Sequence, residues 1–358
     1  MSIFFYACIT ALLCSFLLMP LLARFLRRRQ IMDEGGHRRI HRGLVPSMGG
    51  IIICVAFLFA ILMWMPIHSI IERRFELAAI SLIFFSGIRD DMAPLRPLYK
   101  LVIQIVAAII IVLVGNICIP SLYGLFGIYQ IPEVLGCALS ILFIILVTNA
   151  FNLIDGIDGL AAVIAITAFA FLGIWFFLVG NVVEALRMAC IIGAIGGFLY
   201  YNWQPASIFM GDTGSLVVGF ILSTSALSFI TFNGDLPAGS PFKFPAVFGT
   251  GLAVVLLPLF DTVRIFLLRM KQGKSPFLPD KQHLHHVVLH AVRTHAKTVR
   301  VILAGYIIVA GSIIVAGKFY RDWIILTGGI LVCITVDLLL ARNIGKWIRK
   351  YGGRQAAH

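Results

Sequence analysis

The residues in this sequence able to do chemistry are a few carboxylates, amides and histidines set among long apolar runs. Asp90 and Asp91 are adjacent, and neighbouring carboxylates repel unless a cation or a shared proton relieves them. In NAFNLIDGIDGL (149–160), Asp155 and Asp158 are three apart and share a face wherever the backbone is helical. Asn149 and Asn152 extend this polar notch, and Gly156 and Gly159 let the chain turn sharply and a ligand approach the backbone. Polar groups in such apolar surroundings are costly and mark function; the alternative is that Asp155 caps the apolar run that follows. In FMGDTGS (209–215), glycines flank Asp212, and hydroxyls follow at Thr213 and Ser215. Freed N–H groups at a helix start suit phosphate. A carboxylate there suits Mg²⁺, a hard cation that takes oxygen ligands and bridges to substrate phosphates; the alternative is a simple helix cap.

His283, His285, His286 and His290 crowd DKQHLHHVVLH (280–290), with His286 and His290 at helical spacing. Zinc is one reading; with no cysteine nearby, binding of an anionic substrate by charge or hydrogen bond is favoured over it. In GHRRIHRGLVPSMGG (36–50), Arg38, Arg39 and Arg42 are candidates for anionic headgroups or phosphates, or ordinary membrane-flanking charge, and Pro46, Gly49 and Gly50 mark a turn.

The elements that must position these residues follow from composition. Of 358 residues, 60% are hydrophobic and 13% charged, against roughly 25% charged in soluble domains. Lipid must therefore be the solvent for much of the chain. The expected fold is an all-α polytopic integral membrane protein. About eleven spans are expected, near 3–23, 48–66, 76–89, 101–118, 133–151, 160–179, 186–201, 214–231, 244–266, 300–317 and 324–341. The first is not read as a cleavable signal, because its basic residues follow the apolar stretch.

Placing the N-terminus outside and the C-terminus in the cytoplasm puts 22 of the 29 Lys and Arg residues inside and six outside, at Arg73, Arg74, Arg187, Lys243, Lys318 and Arg321, with Arg264 in a span. The cytoplasmic loops are then about 24–47, 89–100, 152–159, 202–213 and 267–299, with a tail at 342–358, and the whole chain, 1–358, is one transmembrane catalytic domain. The net charge of +13 is mostly a topology signal and does not call for nucleic acid. With this orientation Asp90, Asp91, Asp155, Asp158, Asp212, Asp261 and the histidine cluster converge on one membrane face, although acidic residues played no part in choosing it. The seven cysteines lie in or beside apolar runs with no CxxC pair, and read as small buried hydrophobes.

Together VPSMGG (45–50), Asp90-Asp91, NAFNLIDGIDGL and FMGDTGS resemble the motifs of the polyprenyl-phosphate N-acetylhexosamine-1-phosphate transferases, in order and over nearly the whole chain. SPFLPDKQHLHH (275–286) is similar to the branch acting on undecaprenyl phosphate with UDP-GlcNAc; the related MurNAc-pentapeptide branch usually carries three consecutive histidines there. The resemblance implies transfer of GlcNAc-1-phosphate from UDP-GlcNAc to undecaprenyl phosphate with release of UMP, at the cytoplasmic side of a bacterial inner membrane. It implies a requirement for Mg²⁺, with Mn²⁺ as an alternative, a homodimer, and a role in starting surface glycans such as O-antigen, common antigen or teichoic acid linkage units.

It also implies roles. Asp212 resembles the metal ligand, with Asn152 and Asp91 beside it; Asp90 matches the proposed base for the lipid phosphate, and Asp155 an essential carboxylate. Asp158 and Phe209 match positions that hold uracil, with Gly156 and Ile157 adjacent. His283, His285 and His286 match the loop at the diphosphate and sugar, His283 among the catalytic set. Lys100 and Arg38 are candidate phosphate contacts. Where some relatives carry a third acidic residue after the pair, this chain has Pro94. The rivals are another UDP-HexNAc or UDP-MurNAc-pentapeptide as donor and, from another class, an ion-coupled transporter, whose carboxylates would lie near the bilayer midplane.

Overall fold

The computed structural model describes residues 2–30, 45–273 and 283–351. Arg38, Arg39, Arg42 and the 275–282 part of the histidine block lie outside them. Each expected apolar run forms a helix or a bent helix pair. In chain order the helices are α1 (Ser2–Arg28), α2 (Gly50–Trp64), the short α3 (Ile67–Glu72), α4 (Arg74–Met92) and α5 (Pro97–Ile109), which continues as a π turn over Ile110–Val114. Then come α6 (Glu133–Ile154), α7 (Leu160–Leu178), α8 (Val182–Asn202), α9 (Gly211–Asp235), α10 (Val247–Val254), α11 (Leu256–Lys271), α12 (Leu284–Val292), α13 (His295–Gly317) and α14 (Asp322–Tyr351).

Among the described residues, seven helices are long and apolar enough to cross a membrane, or eight if the α10–α11 pair is one span; α2 and the Asp322–Val336 part of α14 are apolar but shorter. Helix α4 carries Glu76, Arg89, Asp90 and Asp91 at its ends. Two expectations are corrected. The ninth run is not one rod, because α10 and α11 meet at an 85° bend. Arg187, counted as an outer-loop charge, lies in α8 and is buried, because two carboxylates neutralise it there. The chain also forms a two-stranded antiparallel hairpin that the apolar runs do not predict, β1 (Ser121–Leu125) and β2 (Ile128–Gln130), joined through Gly127 at φ +79°.

Helix α9 is the axis of the bundle. Its most apolar stretch is 83% buried, against 22% for α1, so α9 faces protein while α1 shows Leu13, Leu17 and Leu21 outward, as a lipid-facing helix does. Around it pack α2, α4, α6, α7 and α10. Two glycines set how closely its first turn is approached. A Cβ on Gly50 would fall 2.0 Å from the Gly214 nitrogen, and one on Gly87 would fall 2.4 Å from the Thr213 Cα. Both obstructions are backbone, so only glycine permits α2 and α4 to seat there. At the other end of α4, Arg73 bonds Glu76 (2.9 Å) and Glu184 (2.7 Å). Arg187 pairs with Glu76 and, at 2.9 Å, with Glu184, and donates to Ser225 of α9 at 2.7 Å. These four charges tie α4, α8 and α9 together.

Candidate active site

Helices α4 and α9 run antiparallel, so the C-terminal end of α4 meets the N-terminal end of α9. There Asp91 accepts hydrogen bonds from the backbone N–H groups of Asp212 (2.8 Å) and Thr213 (3.0 Å) and from the Thr213 hydroxyl (2.5 Å). These are orphan donors of a helix start, at the positive end of its dipole, and a carboxylate from the neighbouring helix satisfies them. Two N–H groups expected to be open to phosphate are thus taken by Asp91. Asp91, expected among the metal ligands, makes the contacts of a cap that fixes the first turn of α9 and so aims Asp212.

Asp90 points the other way. Its Oδ1 accepts from the Leu95 N–H at 2.6 Å and its Oδ2 pairs with the Lys100 ammonium. Lys100, one turn into α5, also reaches Asp212 Oδ2 at 2.6 Å. Asp90 and Asp212 are within hydrogen-bonding reach of each other, and the Asn152 side chain reaches Asp212. Three helix ends therefore bring two carboxylates and one ammonium together. The Asp90 side chain is 7% exposed and the Asp212 side chain 33%, so the cluster opens to ligand on its Asp212 side. Both aspartates of the pair lie beyond the 76–89 apolar run. Burial raises Asp90 to about 6, with Asp212 adding and Lys100 opposing. Burial likewise raises Asp91 to about 6, against the hydrogen bonds from Thr213.

The α6–α7 connection supplies the next group. Asn152 donates to the Ser215 hydroxyl at 2.9 Å, and Asn149 exchanges hydrogen bonds with Gln104 of α5, a pairing between helices. Asp155 ends α6, while Gly159, at φ +77°, precedes α7 and donates its N–H to Asn202. Asp158 is buried and accepts from the Ala206 N–H at 3.1 Å. Phe209 is buried too, and its backbone carbonyl accepts from Gly49 N–H while its N–H donates to Pro46. The VPSMGG and FMGDTGS blocks are thus stitched together by main chain. Ile157 is buried among the core residues.

The histidine block closes over this connection. A Cβ on Gly156 would stand 2.5 Å from His285 Nε2, so the glycine makes room for the ring. His283 and His285 stack at 5.7 Å between ring centroids, and His286 lies 4.3 Å from His285. Asp261 of α11 holds the loop: Oδ2 meets His283 Nδ1 at 2.8 Å and Oδ1 accepts from the Leu284 N–H at 2.8 Å. Asp261 belongs to none of the sequence motifs; its one signal in the sequence is that of a lone carboxylate inside an apolar run. Burial, with His286 assisting, pushes His285 down to about 3, so it is a neutral imidazole that offers hydrogen bonds and no charge. Its Nδ1 is buried without a hydrogen-bond partner.

A metal ion can be tested against this donor set. Asp90, Asp212 and Asn152 present oxygen donors with no sulfur or imidazole among them, and the two carboxylates already converge on a cation, the Lys100 ammonium. Among the described residues no group of three or more His, Cys, Asp or Glu forms a closed cage. An open set of one or two carboxylates, completed by water and substrate phosphates, is what Mg²⁺ takes. The residues fit.

Residues 75–230, which carry the Asp90-Asp91, NAFNLIDGIDGL and FMGDTGS blocks, match the model of glycosyl transferase family 4. The undecaprenyl-phosphate alpha-N-acetylglucosaminyl 1-phosphate transferase of Pasteurella multocida is 31% identical over 353 residues, 96% of this chain and 95% of its own. The chain belongs to glycosyl transferase family 4. Proteins of the same name from Escherichia coli O157:H7 and Yersinia pestis are 28% and 27% identical, over 89% and 90% of this chain and 87% and 88% of theirs. The family match covers the α4–α9 core, and the relatives extend it across the histidine block.

Proposed function

We propose that this protein transfers GlcNAc-1-phosphate from UDP-GlcNAc to undecaprenyl phosphate, giving undecaprenyl-diphosphate-GlcNAc and UMP. The observation that carries the reading is the Asp90–Lys100–Asp212 cluster at the meeting of α4, α5 and α9, in a chain that shares nearly its full length with transferases of that name. No nucleophilic side chain is required. An oxygen of the lipid phosphate attacks the β-phosphorus of the donor, the bond from that phosphorus to the bridging oxygen breaks, and UMP departs. Catalysis is then positioning and charge neutralisation.

Lys100 neutralises phosphate oxygens as they arrive between Asp90 and Asp212. Asp91 orients Asp212 through the start of α9. Asp90 is the candidate to take a proton from the lipid phosphate. Asp155 stays in the catalytic set at the end of α6. Asp158 and Phe209, with Gly156 and Ile157, form the uracil side. His285, as a neutral donor, His283, held by Asp261, and His286 serve the diphosphate and sugar, and Arg38 is the candidate for an outlying phosphate. Asp212 and Asn152 would hold Mg²⁺ or Mn²⁺, with Asp91, expected beside them, fixing Asp212 through the first turn of α9; the ion would supply charge neutralisation on the transferring phosphoryl group.

The same reading makes 1–358 one catalytic unit, about eleven spans deep, in a bacterial inner membrane with the N-terminus outside and the site facing the cytoplasm. There it meets a lipid phosphate and a water-soluble donor at one interface. It also carries a homodimer and a first step in surface glycan synthesis. The test is UMP release by purified protein with undecaprenyl phosphate, Mg²⁺ and, in parallel, UDP-GlcNAc, UDP-GalNAc or UDP-MurNAc-pentapeptide. The reading expects release with UDP-GlcNAc. Release with another donor alone overturns the sugar, and lipid-independent release overturns the acceptor.

A further inference from the structure

The end of the bundle opposite the cluster holds a thiol pair that the reaction does not use. Cys118 follows the π turn at the far end of α5, and Cys137 lies in the first turns of α6; their Sγ atoms are 2.9 Å apart. The approach is built in. Ile119 N–H donates to the Ser140 hydroxyl at 2.9 Å, and Ser140 in turn donates to the Gly136 carbonyl at 2.8 Å, which pins the 118–119 segment along α6. Gly136 leaves space for this: a Cβ there would stand 2.1 Å from the Ile119 carbonyl oxygen and 3.3 Å from Cys118 Sγ. Both cysteines are half-buried, hence open to a reagent, and the other five thiols make no such pair among the described residues. The segment between them carries the β1–β2 hairpin and no Lys or Arg, the composition of a loop on the outer side. Its Tyr123 reaches the far end of α9 at the Thr231 carbonyl and Asp235.

We infer that Cys118 and Cys137 form a disulfide on the extracytoplasmic face, stapling the base of the hairpin. The inference rests on the orientation given under the proposed function, because that side is oxidising whereas the cytoplasm keeps thiols reduced. The oxidant is a periplasmic protein carrying an exchangeable disulfide. One thiolate attacks a donor sulfur, forming a mixed disulfide and releasing the other donor sulfur as thiolate. The second cysteine then attacks the mixed disulfide. Two S–H bonds are lost, one S–S bond forms in this chain, and the donor leaves as a dithiol carrying the two protons and two electrons. Closing the bond from 2.9 Å moves the sulfurs by under about 1 Å in total.

The test counts thiols in the full-length protein from cells. Cells are quenched in acid, all free thiols are blocked with N-ethylmaleimide under denaturing conditions, and the protein is reduced and treated with maleimide-polyethylene glycol. Wild type should take up two polymer chains and only after reduction, and Cys118→Ser and Cys137→Ser none. Wild type that takes up none overturns the inference. Should either variant fail to accumulate, mass spectrometry of a non-reduced wild-type digest decides alone: one linked peptide pair supports the disulfide, and two separately alkylated peptides overturn it. UMP release is assayed on the same preparation, and its failure would strike the transferase reading while leaving the thiol count standing.

Discussion

Lys100 sits between carboxylates from two helices and is the residue whose importance the sequence least betrayed. By composition a single lysine after an Arg-Pro-Leu-Tyr turn is membrane-flanking charge, and the family resemblance makes it a candidate phosphate contact; only the meeting of α4, α5 and α9 makes it the counter-ion of Asp90 and Asp212. His285 shows the opposite case. Its place in a histidine cluster was plain, but its charge state was not, because that depends on burial under its neighbours. Its depressed value makes a prediction about stability. Above the ordinary histidine pKa, near 6.5, His285 is neutral whether folded or unfolded. Below it the unfolded chain takes a proton that the folded chain refuses down to about 3, so stability is lost as pH falls through that window. Thermal unfolding in detergent should show a larger drop in Tm between pH 7 and pH 5 for wild type than for His285→Gln. Equal drops would show that His285 is not held neutral.

At the scale of elements, the helices were legible because apolar runs of sufficient length leave few alternatives, and the motif residues fall at helix ends, where polar groups are tolerated. Three features could not be read. The bend between α10 and α11 occurs within a continuous apolar run, so hydropathy has no signal for it. The capping of α9 by Asp91 joins residues far apart in the chain. Arg73 and Arg187 read in the sequence as separate outer-loop charges and Glu76 as the start of an apolar run, although with Glu184 they form one largely buried ion cluster. Glu76 and Asp90 lie on α4 about 21 Å apart along the axis, and Asp212 and Ser225 lie on α9 about 20 Å apart. The charges therefore lock the two antiparallel helices at one end while Asp91 locks them at the other. Arg187→Met leaves Glu76 and Glu184 with Arg73 alone, and removal of one member of a buried ion cluster costs about 3–5 kcal/mol. Denaturant or thermal unfolding should register that loss; a change under about 1 kcal/mol would mean that water reaches the cluster.

For the molecule as a whole, the polarity of the bundle is the central result. Carboxylates, amides, Lys100 and the histidine loop gather at one end, and the opposite end carries a self-neutralised ion cluster, a hairpin and a thiol pair. A transporter would place its ionisable groups along a path near the midplane. Here the groups gather at one end of the bundle, as the proposed transfer from a soluble diphosphate to a lipid phosphate requires. Transfer of the sugar phosphate is distinguished from transfer of the sugar alone by which bond is broken. The decisive measurement uses UDP-GlcNAc labelled at the β-phosphorus, with undecaprenyl phosphate and Mg²⁺, followed by extraction of the lipid. The label should enter the lipid fraction together with GlcNAc, UMP should appear in equal amount, and Asp212→Asn should lower the rate by about a hundredfold or more while the protein stays folded. Label left in the aqueous phase as UDP, with GlcNAc alone on the lipid, would contradict transfer of the sugar phosphate.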